Sequence, residues 1–349
     1  MHRHQGLKVA FLTRYDFSRA SSRVRVYDYL PYLQKMGWQC RVLPFPKHLS
    51  FVTKMRYLGQ SLQLARWADV VVLQKLVLQE RFIWLLKNIN KRVVFDFDDA
   101  LYAPPDIYSQ DKLVRARYKI ATKRLHYIFQ KACLVIAGSN YLASYAKQFN
   151  PVVYTLPSSV DISRYTKKTI SEKDDPVVLG WIGSPENLTD FHQIQGALRK
   201  AFQQLSGKAT LKVVSSQPLV LQNVPVCFES WSLNREVELL HSFDIGLMPL
   251  NDTERSRGRC GFKAVQYMAV GLPVLASSIG AAVEVIVHGK TGFLLATEDE
   301  WVEAIHCLVQ DVALRRRLGE AGRALVEERF SIQANAPKFA DILEEAAKS

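Results

Sequence analysis

The chain has no Cys-x-x-Cys pair, and its five cysteines (Cys40, Cys133, Cys227, Cys260 and Cys307) are scattered and odd in number. That spacing excludes the common zinc ligand sets and a disulfide framework, and it fits a reducing compartment. No apolar run reaches the length of a membrane-spanning helix. Met1 to Gly6 contain nothing like the apolar core of a secretory leader and run straight into a strand pattern. The chain also lacks low-complexity segments, short repeats and any recognisable nucleic-acid-binding module, so no nucleic acid is expected as a partner. These absences together lead us to expect a cytoplasmic protein, at most peripheral at the inner membrane face.

With 349 residues, of which 48% are hydrophobic and 23% charged, the chain is too long for one ordinary core and comfortable for two. Lys and Arg exceed Asp and Glu by 46 − 33 = 13, a balance that favours anionic partners. Short apolar strands alternate with helical patterns from Lys8 to Leu156, and again from Val177 to Leu308. This alternation predicts parallel sheets covered on both faces. The polar stretch from Pro157 to Pro176 reads as the connection between the halves. The expected division is 1–160, 161–330 and a final helix, 331–349.

Chemistry concentrates where strands end. Arg257-Gly258-Arg259-Cys260-Gly261-Phe262-Lys263 reads as a basic, glycine-containing loop running into a short helix, followed by Gly271-Leu272-Pro273 and a buried strand. A helix that starts beside such a loop presents unpaired N–H groups and the positive end of its dipole, which suits phosphate. Gly183-Ser184-Pro185-Glu186-Asn187 ends another strand in the same half, with a potential cap at Ser184 and proline at the first helical position. Asp244 and Pro249 flank a further strand, with a strand or helix cap the more common role for an aspartate like Asp244.

In the first half, Asp96, Asp98 and Asp99 crowd the end of a buried strand. Such a cluster needs a cation, a metal or a proton, unless one aspartate caps a turn and the others pair with Arg or Lys. The loop from Thr13 to Arg25 carries Arg14, Ser22, Arg23 and Arg25, suited to an acceptor group or a phosphate, or else simply solvated. The basic and apolar stretch from Lys47 to Tyr57 suits either an anionic membrane surface or, more commonly, packing on its own sheet.

Read in order, the loop, the helix, the Gly-x-Pro-Val strand and His288-Gly289-Lys290-Thr291-Gly292 resemble family 4 glycosyltransferases. The resemblance is closest from Leu240 to Trp301 and looser, though collinear, over most of the remaining chain. It implies the GT-B fold: an α/β protein of two Rossmann-like domains with parallel sheets facing across a cleft, and a last helix crossing back. It also implies a retaining transfer of sugar from a nucleoside diphosphate to a hydroxyl of a glycan or lipid-linked acceptor, without metal or other cofactor.

On this reading Gly183, Ser184, Asn187, Pro249, Arg257, Arg259, Gly261, Phe262, Lys263, Gln266 and Glu284 bind the nucleotide sugar. Asp98 and Asp99 stand where relatives carry a catalytic His-Asp pair. Arg14, Ser22 and Arg23 serve the acceptor or a phosphate. Where the family often has two glutamates eight residues apart, this chain has Gly258 and Gln266, so the first carboxylate is absent. Two rival classes remain open on the residues alone: a metal-dependent phosphohydrolase built on Asp96 and Asp98, and a non-catalytic nucleotide-binding protein.

Overall fold

A computed structural model of the chain describes residues 6–48, 50–168 and 176–349. It divides into two compact units, one running to Ser159 and taking in Ile332–Ser349, the other spanning Val160–Ser331.

The first unit is built on strands β1 (Lys8–Thr13), β2 (Gln39–Pro44), β3 (Val70–Gln74), β4 (Val93–Phe97), β5 (Leu134–Ala137) and β6 (Val153–Thr155). They form one parallel sheet in the order β2-β1-β3-β4-β5-β6. Every residue of β3 and β4 is buried, as expected of a sheet with helices on both faces. Helices start where the sequence offers an acceptor for orphan amides: Ser50 accepts from Thr53 N, Asp111 from Leu113 N and Val114 N, and Ser139 from Leu142 N. The C-terminal helix, Ile332–Lys348, packs within this unit, with Phe339 against Tyr29 and Phe11 at ring separations of 4.9 and 6.3 Å.

The second unit repeats the plan with β7 (Val177–Ile182), β8 (Ala209–Ser215), β9 (Val226–Ser230), β10 (Ile245–Met248), β11 (Val274–Ser277) and β12 (Gly292–Leu295), ordered β12-β11-β10-β7-β8-β9. Alternation along β7 divides its side chains between two cores, Leu179 and Trp181 in one and Ile182 in the other.

In both sheets the direction of strand addition reverses once, between β1 and β3 and between β7 and β10. The carboxyl ends of the strands at such a reversal diverge and leave a crevice, the usual ligand position in open α/β sheets. In the second unit Tyr267 spans this gap. Its hydroxyl accepts from Ile182 N and donates to Leu247 O, both at 3.1 Å, so two strand ends that no longer pair directly share one buried side chain. Gly246 makes room for it, since a Cβ there would lie 2.3 Å from the Tyr267 ring.

Some expectations need correction. The Thr13–Arg25 segment is not a solvated loop throughout: Ala20–Arg25 is helical, and Ser22, Arg23 and Arg25 are buried. Between Val26 and Met36 the chain forms a short 3-10 turn, Tyr27–Tyr29, and an α-helix that starts at Leu30, because Pro31 cannot donate within a continuous helix but suits a first turn. The segment after Ser184 is a tight 3-10 stretch, Pro185–Gln193, ahead of the helix Gln195–Leu205. The expected polar connection is partly core: Val160 and Tyr165 are buried in the second unit, and Thr169–Asp175 of that segment lie outside the described residues.

Candidate functional site

The second unit brings the expected glycine turns together. Gly261, with φ at +66°, occupies the left-handed region that glycine tolerates best, and it starts the helix Phe262–Ala269 without any side-chain cap. An uncapped first turn directs the orphan amides and the positive dipole end outward. Lys263, on that turn, reaches across to the end of β7. A Cβ built on Gly183 would lie 2.8 Å from Lys263 Cε and 2.8 Å from the Trp181 ring. Lys263 Nζ itself stands 5.2 Å from the Trp181 ring centroid. Gly183 is therefore required for space, and it sets the lysine stem at the β7–β10 reversal.

The other expected donor residues occupy varied positions around this centre. Ser184 is exposed and makes no side-chain cap, and Asn187 is half-buried in the 3-10 stretch. Pro249 is buried just beyond β10, while Phe262 is half-buried. Glu284 lies half-buried on the short helix Ala282–Val285. That segment packs beside Gly261, whose Cβ position is 3.1 Å from Val285 Cγ2 and 3.4 Å from Ala281 O.

The two flanking arginines differ in a way the sequence did not reveal. Arg257 is exposed and forks onto Asp252 at 2.7 and 2.9 Å, a surface pair of small net worth that another anion can replace. Arg259 pairs with Asp190, whose side chain is 1% exposed, and the pair fastens the 3-10 stretch to the Arg257–Gly261 loop. Moving Arg259 away from Asp190 would strand a buried carboxylate, so the pair holds the loop in place.

Gln266 is buried and its amide donates to Tyr165 Oη at 3.1 Å, which in turn donates to Glu236 at 2.6 Å. Asp244 takes the capping role, accepting from Val178 N at 2.8 Å and from Lys168 Nζ at 2.6 Å, at the opposite end of the sheet.

The acidic cluster of the first unit sits at the carboxyl end of β4 beside the β1–β3 reversal, and its members separate by role. Asp96 is fully buried and bound in a fork by Arg25, which also donates to Leu156 O. Burial by itself would lower the Arg25 pKa, but Asp96 more than compensates and holds the guanidinium protonated. Asp98 accepts from Ser21 Oγ at 2.7 Å and pairs with Lys75 Nζ at 3.0 Å. Burial opposes its ionised form, yet Lys75, Arg25 and Ser21 outweigh that penalty and keep the carboxyl below the usual aspartate range. Asp99 pairs with Lys75 at 3.4 Å and caps Ala100 N at 3.0 Å.

Lys75 was not singled out from the sequence, although a cation directly following the fully buried β3 was the available signal. It stands in the left-handed region at φ +56°, a conformation costing about 1 kcal/mol for a non-glycine residue. Burial disfavours its charge, but Asp98 and Asp99 raise its pKa. Ser22 hydrogen-bonds Gln74 Oε1 at 2.6 Å and Arg23 is fully buried, so neither presents a side chain to an acceptor. Arg14 is exposed and lies over the Phe45 ring at 5.4 Å. With Asp96 enclosed by Arg25, the Asp-x-Asp arrangement of a phosphohydrolase, which needs a reachable carboxylate, is not present. Phe51, Val52 and Met55 project from the first turns of the helix Phe51–Trp67, which packs on its sheet through Tyr57, Ser61 and Ala65.

Residues 177–311 match the family model described as glycosyl transferases group 1. The capsular polysaccharide biosynthesis glycosyltransferase CapM of Staphylococcus aureus is 33% identical over 75 residues, 21% of this chain and 20% of that protein. The alpha-1,3/1,6-mannosyltransferase ALG2 of Homo sapiens is 34% identical over 107 residues, 30% of this chain and 24% of its own length. The alignments thus span about a fifth to a quarter of these relatives.

Solved structures match nearly the whole chain. Sucrose-phosphate synthase from Thermosynechococcus elongatus gives a TM-score of 0.73 at 14% identity, covering 97% of this chain and 98% of that one. Anabaena HepE in complex with UDP and glucose gives 0.69 at 18%, covering 97% and 100%. The fold is that of the GT-B glycosyltransferases, and the segment 177–311 is similar to the group 1 glycosyl transferases.

Proposed function

We propose that the protein transfers a sugar from a nucleoside diphosphate donor to a hydroxyl of a glycan or lipid-linked acceptor, with retention of anomeric configuration. The observation that carries this reading is the meeting of Gly183, Lys263 and the uncapped start of the helix Phe262–Ala269 at the β7–β10 reversal. In the reaction the acceptor oxygen bonds to the anomeric carbon as the bond from that carbon to the diphosphate oxygen breaks. The hydroxyl proton passes to the departing diphosphate. Negative charge grows on that leaving group, and fixed amides with a partly desolvated lysine stabilise it more than they stabilise the bound donor. This positive end supplies the charge that a divalent cation provides elsewhere, so no metal is required.

UDP-glucose is the first donor to try, because a complex with it is known for the Anabaena neighbour. Among the described residues no helix is long and apolar enough to cross a membrane. We place the protein in the cytoplasm, at most peripheral at the inner membrane face.

Thermal denaturation with a panel of nucleoside diphosphates in chelator tests the reading. A rise in Tm with at least one of them is expected, and no rise with any would refute it. Proton NMR of the product at the anomeric position then tests retention separately.

A further inference from the structure

The first unit holds a cavity of about 330 Å³ between the loop that follows the acidic cluster and the helix Lys112–Lys131. Arg115, Lys119 and Lys123 line it at four-residue spacing, so one face of that helix turns three cations toward the same space. Ser109 and Thr122 add hydroxyls, and no acidic residue lines it among the described residues. The helix as a whole carries seven Lys and Arg residues and no Asp or Glu. Among the described residues none of the three cations belongs to an ion pair, in contrast to Lys75, Arg25 and Arg259. Like charges one turn apart destabilise a helix unless an anion offsets them.

The wall opposite the helix is well supported. Tyr102 stacks on Tyr145 at 3.8 Å, its carbonyl accepts from Thr122 Oγ1 at 3.3 Å, and Tyr145 Oη meets His126 Nε2 at 2.8 Å. Tyr102 is only three residues beyond Asp99 in the chain. Large apolar side chains flank the cavity in sequence: Leu113 is 73% exposed and Ile120 52%, on the same helix as the cations.

We propose that this cavity binds a phosphate group of the acceptor, and that the acceptor carries an apolar tail lying along Leu113 and Ile120. The proposal rests on the transferase reading only in naming the ligand as acceptor. Three donors with two hydroxyls suit a phosphate's several oxygens, and the cavity is of a size for a headgroup rather than a whole lipid.

The test is calorimetric titration of the full chain, pre-saturated with a nucleoside diphosphate so that the second unit's phosphate site is filled. The probes are dodecyl phosphate below its micellar concentration, dodecanol, inorganic phosphate, and phosphatidylcholine vesicles with or without phosphatidylglycerol. Dodecyl phosphate is expected to bind and dodecanol not to. Arg115→Glu with Lys119→Glu should weaken dodecyl phosphate by about a hundredfold, as the loss of two charge-assisted contacts implies.

Retained circular dichroism and nucleoside diphosphate binding in that variant would show that it folds, and would separate failure here from failure of the transferase reading. Inorganic phosphate bound as tightly as dodecyl phosphate, with the same variant sensitivity, would keep the phosphate site and overturn the tail. Equal binding of dodecyl phosphate by wild type and variant would overturn the proposal. So would variant-sensitive binding of phosphatidylglycerol vesicles without any binding of dodecyl phosphate, which would make this face a membrane surface instead.

Discussion

Replacing Lys263 with alanine separates a phosphate ligand from a merely packed lysine. The side chain lies over Gly183 with Nζ 5.2 Å from the Trp181 ring centroid, a cation–π contact of about 0.5–1 kcal/mol in the free protein. A hydrogen bond from the same ammonium to a bound diphosphate is worth about 1.5–3 kcal/mol, which corresponds to roughly a ten- to hundredfold change in Kd. Lys263→Ala should therefore weaken nucleoside diphosphate by about that factor in calorimetric titration, while the parent nucleoside, lacking phosphate, binds unchanged. Lys263→Met keeps an apolar stem over Gly183 and should show the same loss of diphosphate affinity with a smaller drop in Tm. Equal affinity of wild type and Lys263→Ala for the diphosphate would refute the reasoning, and so would an equal loss for the nucleoside, which would signal collapse of the turn.

Tyr267→Phe should leave Ile182 N–H and Leu247 C=O without their shared partner and cost about 1–3 kcal/mol, read as a lower midpoint in urea; no change would mean the strand ends close without it. Asp96→Asn should destabilise the first unit by about 3–5 kcal/mol, because Arg25 remains buried without its counter-charge, and a neutral result in denaturant titration would contradict the ion-pair assignment. The Asp98 carboxyl lies below its ordinary value of 3.8 in the folded protein, so its contribution to stability is complete above that pH and is lost as pH falls through the lowered folded value. Acid unfolding of Asp98→Asn should accordingly be shallower over that range than wild type, and superimposable curves would count against the Lys75–Asp98 pairing. Asp99→Asn should lower turnover more than donor affinity if Asp99 acts on the acceptor; full activity would leave it as the cap of Ala100 and a partner of Lys75.

The parallel sheets were legible in the sequence because β3, β4, β10 and β11 are short, mostly apolar runs between helical periods, a pattern dominated by local burial. The phosphate-suited turn at Gly261 was legible for the same reason: a glycine followed at once by a helical period restricts the local geometry strongly. The partners of the charged residues were not legible. Arg259 with Asp190, Arg25 with Asp96 and Lys75 with Asp98 join residues 69, 71 and 23 positions apart, and no local period encodes such pairings. The same blindness made Ser22 and Arg23 read as loop residues facing an acceptor, a phosphate or solvent, when long-range packing folds them inward. The burial of Gln266 was not legible for a related reason, since a short helix with an almost continuous apolar run has no clear outer face.

The most direct measurement is a crystal structure of the protein with a nucleoside diphosphate bound. The account predicts phosphate density between Gly183 and the first turn of the helix Phe262–Ala269, within hydrogen-bond distance of its backbone amides and of Lys263 Nζ. Diphosphate bound instead against Lys75 and the acidic cluster, or anywhere remote from Gly261, would contradict it.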